Sequence, residues 1–260
     1  MIIDAHTHIY PDLIAKKAAA SIGGFYGMPM LYDGKMSTLL EIGEKNGIDK
    51  FLIQSVATSP KQIDSVTRYI SDMANKYPDK FIGFTSSHPE SENIADEVGK
   101  AIHLGLKGVK LHPDFQKFNI DDKNAMRIYE TIEGRLPVLI HTGDFRTEYS
   151  KASRVLNVLK AFPKLEMICA HFGGWSEWEE SVKILAGTGV YVDTCSSQYA
   201  VPPEKIREYI DAYGPDRVIF GSDFPMWDAG EELRMLEKVF RDENERELIL
   251  HKNIERLLKL

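Results

Sequence analysis

The chain has 260 residues, of which 43% are hydrophobic and 27% charged, the composition of a globular protein with room for a large core, not of a disordered or fibrous chain. The net charge of −7 comes from dispersed acidic residues, and no run of Lys or Arg interleaved with aromatics is present to track a phosphate backbone. Nucleic acid is therefore not an expected partner.

The first strand is expected over residues 1–6, where an apolar start runs into Asp4-Ala5-His6-Thr7-His8. Alternate side chains of a strand share a face, so His6 and His8 project together from its end. Two imidazoles so placed can grip one metal ion, although two exposed histidines satisfy the same pattern, and further ligands must decide. The stretch from Tyr10 to Lys35 is long for a strand-to-helix connection and holds Gly23, Gly24, Phe25, Tyr26, Gly27 and Pro29, which predicts a partly helical insert with a mobile aromatic tip acting as a lid.

Further strands are expected at 51–57, 81–86, 108–112, 137–141, 167–171, 190–194 and 218–222, and the segments between them carry apolar residues at helical spacing. Ile63, Val66, Ile70 and Met73 form one such set, and Val155, Leu156, Leu159 and Phe162 another. Ser176 with Glu179 and Asp228 with Glu231 have capping-box spacing, and Pro203 suits a first helical turn. Strand and helix alternate eight times without a Gly-rich dinucleotide fingerprint or a dividing linker. This predicts a single (β/α)8 barrel domain over residues 1–260, with an inserted loop after strand 1 and extra helices at the C-terminal end.

A barrel places its chemistry at the carboxyl ends of its strands. Six of the eight histidines, His6, His8, His88, His112, His141 and His171, fall at or just beyond such ends, whereas His103 and His251 lie in helical segments. Strand 5 ends His141-Thr142-Gly143 and strand 6 ends His171-Phe172-Gly173-Gly174, with glycines that let the backbone turn closely beneath a ligand. Strand 8 ends Gly221-Ser222-Asp223-Phe224-Pro225, and barrel closure sets Asp223 beside His6 and His8. A divalent cation would resolve the cost of burying that carboxylate, and a loop or helix cap is the other use of such an Asp. Only Cys169 and Cys195 are present, each in an apolar segment, which points to buried free thiols and a reducing compartment. No apolar run approaches the roughly 18 residues of a membrane helix and no signal segment is evident, so a cytoplasmic protein without membrane association is expected.

These residues resemble the metal-dependent amidohydrolases, specifically the amidohydrolase 2 branch of hydrolases and decarboxylases. The resemblance covers essentially the whole chain and rests on DAHTHIYP, GVKLHPDFQ from Gly108 to Gln116, LIHTGD, AHFGG, VYVDTCS, FGSDFP and ILHKNIERLL, in that order. It implies His6, His8, His141 and Asp223 as ligands of a divalent metal, with His171 polarising water or substrate or, in some relatives, ligating directly. Asp223 or His171 would accept the proton of an attacking water. Zinc is the first expectation, with manganese or iron as alternatives and one ion favoured over two.

Lys110 and His112 share a face of strand 4. Lys110 is open to three roles: carboxylation to bridge two metals, binding of an anionic substrate group together with His112, or pairing with a barrel carboxylate such as Asp193. Arg146 is the arginine best placed to hold a substrate carboxylate, and Trp175, Trp178 and Trp227 are candidates to line an apolar or aromatic pocket. The expected activity is hydrolysis of an amide, lactone or related bond of a small, anionic or cyclic substrate. Non-oxidative decarboxylation of a cyclic or conjugated carboxylic acid is the main alternative. A TatD-type nuclease, disfavoured by Lys110 where that family has a glutamate, and a non-catalytic metal-binding barrel are lesser ones. A homodimer is the default assembly, because two-fold pairs are the commonest oligomers.

Overall fold

The computed structural model describes residues 1–260. Its elements, in order, are β1 (Ile3–His8), α1 (Asp12–Tyr26), α2 (Met36–Asn46), β2 (Lys50–Gln54), α3 (Ile63–Lys76), β3 (Phe81–Ser86), α4 (Ile94–His103), β4 (Gly108–Leu111), α5 (Pro113–Gln116) and α6 (Lys123–Ile132). There follow β5 (Val138–Ile140), α7 (Ala152–Ala161), β6 (Met167–Cys169), α8 (Trp178–Leu185), β7 (Tyr191–Asp193), α9 (Pro203–Tyr213), β8 (Val218–Ile219), α10 (Ala229–Leu236), α11 (Glu243–Glu247), a π-helical turn (Leu248–Lys252) and α12 (Asn253–Leu258). The eight strands pair in sequence order, every pair parallel, as the alternation of strands and helices predicts.

Period-2 alternation divides the apolar residues between two cores. One face of the strands, including Val109, Leu111, Val138 and Ile140, packs outward against helical residues such as Ile128 and Val155. The other face fills the barrel lumen with Ile3, Leu52, Phe84, Leu139, Ile168 and Ile219, and α12 plugs its floor with Ile254 and Leu258. Above these apolar layers the strand ends are polar.

β1 departs from simple alternation. Its register with β2 runs Asp4 to Phe51 and then Thr7 to Ile53, so one extra residue bulges from β1. The bulge explains why Ile3 and Ala5 face the lumen core while His6 and His8 line the cavity above it. The strand continues through His8, two residues beyond its expected end.

The barrel closes between β1 and β8 through backbone bonds rather than a regular ladder. Ala5 N–H donates to the Phe220 carbonyl at 2.9 Å, Asp223 N–H to His6 at 2.8 Å and His8 N–H to Phe224 at 2.7 Å. Asp4, fully buried, reinforces this seam by accepting from Ser222 N–H at 2.9 Å, Ser222 Oγ at 2.6 Å and His6 N–H at 3.2 Å. Gly221 is required here, because a Cβ would lie 2.9 Å from the Cβ of His6.

Several local expectations need correction. Ser176 does not cap α8: the helix starts at Trp178, and Ser176 sits at φ +66° with its Oγ accepting the Phe145 N–H at 3.2 Å, which ties together the loops after β6 and β5. Asp228 does cap α10, accepting from Glu231 N–H at 2.9 Å, and Pro203 opens α9. The insert after β1 is a regular helix of 15 residues, and its aromatic end packs into the barrel mouth rather than lying free.

Replacing Asp4 by Ala would strand three donors at the seam, whereas Ser222→Ala removes one donor and leaves the carboxyl satisfied by backbone. We expect losses of about 3 kcal/mol or more and about 1 kcal/mol respectively in urea unfolding. Equal, small losses would show that closure does not depend on this carboxyl.

Candidate functional site

The strand ends open into a cavity of about 480 Å³ lined by His6, His8, Lys110, His112, His141, His171 and Asp223 at its base. His6 Nε2 lies 3.2 Å from His8 Nε2 and 3.6 Å from Asp223 Oδ1, which is 3.4 Å from His8 Nε2. A tetrahedral ion with bonds of about 2.05 Å has ligands about 3.3 Å apart, so these three atoms already stand at the edges of a coordination polyhedron. The residues fit a metal ion.

His6 is oriented from behind. Its Nδ1–H donates to Asp193 Oδ2 at 2.7 Å, which leaves the Nε2 lone pair facing His8 and Asp223. Asp193 also accepts the His171 backbone N–H at 2.8 Å and the Cys195 thiol at 3.0 Å, so one buried carboxylate braces two functional histidines. Burial alone would raise the Asp193 carboxyl, but the hydrogen bonds it accepts from His6 and Cys195 outweigh it and hold the group well below the usual carboxylate range. Asp223 is likewise held low against the effect of burial, its hydrogen bond with His8 among the causes, and its Oδ2 accepts from Ser196 Oγ at 2.5 Å.

His141 lines the same cavity but is not gathered with the other three implied ligands. Its Nδ1 is 2.9 Å from His171 Nε2, and its Nε2 faces Asp114 Oδ2 at 3.7 Å without a hydrogen bond. His171 Nδ1 lies 3.3 Å from the Cys195 carbonyl, which assigns the proton to that nitrogen. His171 Nε2 then accepts from His141 Nδ1–H, leaving the His141 Nε2 lone pair bare, the form in which an imidazole ligates. Asp114, His141 and Asp144 form a second group of metal-competent atoms, but Arg146 already occupies both oxygens of Asp144.

Four residues around the site, His171, Phe172, Ser196 and Asp223, have φ between +48° and +62°. Non-glycine residues there cost on the order of 1 kcal/mol each, and these lie just after β6, β7 and β8, where the chain must aim side chains inward. Gly143, at φ +70°, permits a close approach, since a Cβ would meet Gly174 Cα at 2.5 Å.

Lys110 is buried with its Nζ 3.0 Å from His6 Nε2, and no carboxylate lies within 4.0 Å, so of its three open roles the pairing with Asp193 is not formed. Burial lowers the pKa of its amine. His112, beside it on the lumen face, stacks on His141 with ring centroids 4.1 Å apart and meets the Tyr26 hydroxyl at 2.8 Å. The structure places Arg146, Trp175 and Trp227 outside the cavity lining. Arg146 forks onto Asp144 at 2.9 and 2.7 Å, donates to the Phe25 carbonyl and lies over the Phe25 ring, so its guanidinium is consumed in anchoring α1. Trp175 packs edge-on against Tyr26, and Trp227 donates to Ser196 Oγ at 2.9 Å, which steadies the hydroxyl that holds Asp223. Trp178 donates to Ser197 Oγ. Asp193, Cys195, Tyr26 and Asp114 complete the site, and the sequence marks them only by their places at or just after strand ends and in the insert.

The amidohydrolase family profile of the amidohydrolase 2 branch matches residues 3–260. This chain belongs to the amidohydrolase family. Among curated proteins, an uncharacterised protein, y4mH, of Sinorhizobium fredii is 22% identical over 255 residues, covering 86% of this chain and 85% of its own. An uncharacterised TIM-barrel protein of Bordetella bronchiseptica superposes with a TM-score of 0.82 at 19% identity, over 99% of this chain and 98% of that one. A manganese-bound dihydroxybenzoic acid decarboxylase of Polaromonas shares the fold at a TM-score of 0.76 and 16% identity, over 100% and 97% of the two chains. Both share the barrel fold of this chain.

Burial lowers the imidazole of His8 to about 4 and those of His141 and His171 to about 3, so all three are neutral at pH 7. In the unfolded chain they take up protons near 6.5. Their contribution to stability is present above that value and is lost as pH falls toward 3 or 4. Asp4 acts in the opposite sense: burial raises it to about 7, and its contribution is lost as pH rises from about 4 to about 7. Removing one such histidine in His171→Gln should reduce the pH dependence of stability between pH 6.5 and 4 by about one proton, measured by urea unfolding of the metal-free protein. An unchanged slope would show that His171 is not held neutral.

Proposed function

We propose that this amidohydrolase is a metal-dependent hydrolase that cleaves an amide, lactone or related bond of a small organic substrate. The observation that carries this reading is the convergence of His6 Nε2, His8 Nε2 and Asp223 Oδ1 on one point at the base of the cavity. A divalent cation bound there, with zinc preferred and manganese or iron also suited to nitrogen and oxygen donors, supplies Lewis acidity and lowers the pKa of water toward about 7. His141, on the same cavity wall, is the fourth candidate ligand through its bare Nε2.

Asp223 is the proposed general base. It is ionised, its Oδ2 is fixed by Ser196, and Oδ1 faces the reaction space from strand 8. His171 is neutral and braced by Asp193 and the Cys195 carbonyl, so it serves as a hydrogen-bonding group and proton acceptor rather than a fixed cation. Lys110, the single lysine on the cavity wall, offers an anionic substrate group a charge-assisted bond.

Decarboxylation is the second reading. It is favoured by the apolar wall of the cavity, which would suit a ring or diene, and by the likeness to the Polaromonas decarboxylase. Release of carbon dioxide from hydroxybenzoates, followed beside cleavage of lactones, esters and amides, separates the two.

His8→Ala and Asp223→Asn should each lower bound metal, by elemental analysis, to well below one equivalent and abolish turnover of whichever substrate this screen finds. His171→Gln should keep its metal while losing about 10²- to 10⁴-fold in rate. A fully metallated and active His8→Ala protein would overturn the ligand assignment.

A further inference from the structure

The cavity continues from the histidine cluster into an arm between two helices. Ile14, Ala18 and Ile22 of α1 form one wall, and Val66 and Tyr69 of α3 form the other. Ile14, half exposed, marks the mouth. Spacings of four residues along α1, from 14 to 18 to 22, put the first three side chains on one helical stripe. The stripe faces the cavity, not the barrel core, because Ala15, Ala19 and Gly23 take up the buried contacts of the same helix.

The arm has a definite chemistry. Its polar groups, Ser21, Thr58, Gln62, Ser65 and the Tyr69 hydroxyl, are neutral, and Lys110 is the single Lys or Arg among the residues that line the whole cavity. An anionic group held at the base therefore has a cation beside it. A second anionic group placed in the arm would have none, and desolvating an unpaired charge is strongly unfavourable. The volume of about 480 Å³ lies in the range of about 300–1,000 Å³ that encloses drug-sized ligands, so a single carboxylated ring at the base leaves the arm unfilled.

We infer that the arm between α1 and α3 is a specificity subsite for an uncharged, mainly apolar tail, and that the substrate carries one anionic group only, at the reacting end. This rests on the proposed metal centre for its orientation. Val66 and Ile22 select the tail, while Lys110 and the centre hold the head. The arm discriminates against dianions through absence of a partner charge and favours alkyl or aryl extensions through burial.

Isothermal titration calorimetry of the zinc-loaded protein with benzoate, 4-butylbenzoate and terephthalate tests this. A buried methylene is worth about fourfold in affinity, so 4-butylbenzoate should bind at least tenfold tighter than benzoate, and terephthalate no tighter than benzoate. Val66→Asp, and Val66→Trp as a second variant that fills the arm without charge, should bring the affinities for 4-butylbenzoate and benzoate within threefold of each other. With zinc bound, equal affinities in the wild type, preference for terephthalate, or a tail preference that survives both variants would overturn the subsite and leave the metal centre standing. Failure to bind zinc would overturn the centre and the subsite's orientation together.

Discussion

The closure of the barrel between its first and last strands is the constraint on which the site depends. Asp223 N–H is bonded to the His6 carbonyl, and His8 N–H to that of Phe224, so the aspartate and the two histidines are fixed by the same backbone bonds that complete the cylinder. Asp223, more than two hundred residues along the chain from His6 and His8, thus becomes as near to them as a neighbour in the same strand. The bulge in β1 is the second half of the device, because it turns His6 and His8 inward above a lumen already claimed by Ile3 and Ala5. The seam lacks a regular ladder, and Asp4 offsets this by accepting three hydrogen bonds there.

Burial then sorts the ionisable groups by type. Imidazoles taken out of water become neutral, which is the state needed to offer a lone pair to a cation. Asp193 and Asp223 resist the same environment because donors and positive charge surround them, and they stay ionised. Neutral nitrogen beside ionised oxygen is the donor set that a hard or borderline divalent ion takes up. The positive φ values at His171, Ser196 and Asp223 show backbone preference yielding to this arrangement.

Much of this was legible in the sequence because it follows from periodicity. Apolar runs separated by helical stripes locate all eight strands, and polar residues directly after those runs must sit at one end of a parallel barrel. Histidine spacing and the aspartate after β8 therefore pointed to the centre. What periodicity does not carry is competition between nearby groups. Arg146 has the chemistry to hold a substrate carboxylate, yet Asp144, two residues before it, and the Phe25 carbonyl take up its guanidinium. Trp175 and Trp227 have the surface to line a pocket, but Trp175 packs behind Tyr26, which does so, and Trp227 donates to the Ser196 hydroxyl that holds Asp223. Ser176 has the spacing of a cap, and the pull of a neighbouring loop places it elsewhere. A bulge of one residue leaves no mark in composition, and the direction in which the His141 ring turns depends on His171, thirty residues away.

Tyr26 ends α1 with its hydroxyl on His112 and its ring against Trp175, while Phe25, just before it, gives its carbonyl to Arg146. The helical wall of the cavity is thereby anchored at its C-terminal end to the strand ends at the cavity base. Such a joint separates two kinds of evolutionary change. On the proposed reading, change in the inner stripe of the helix would alter which molecules are admitted, while the anchor keeps the helix docked and leaves the strand ends as they are. One scaffold could thereby acquire a new diet without rebuilding its reactive centre.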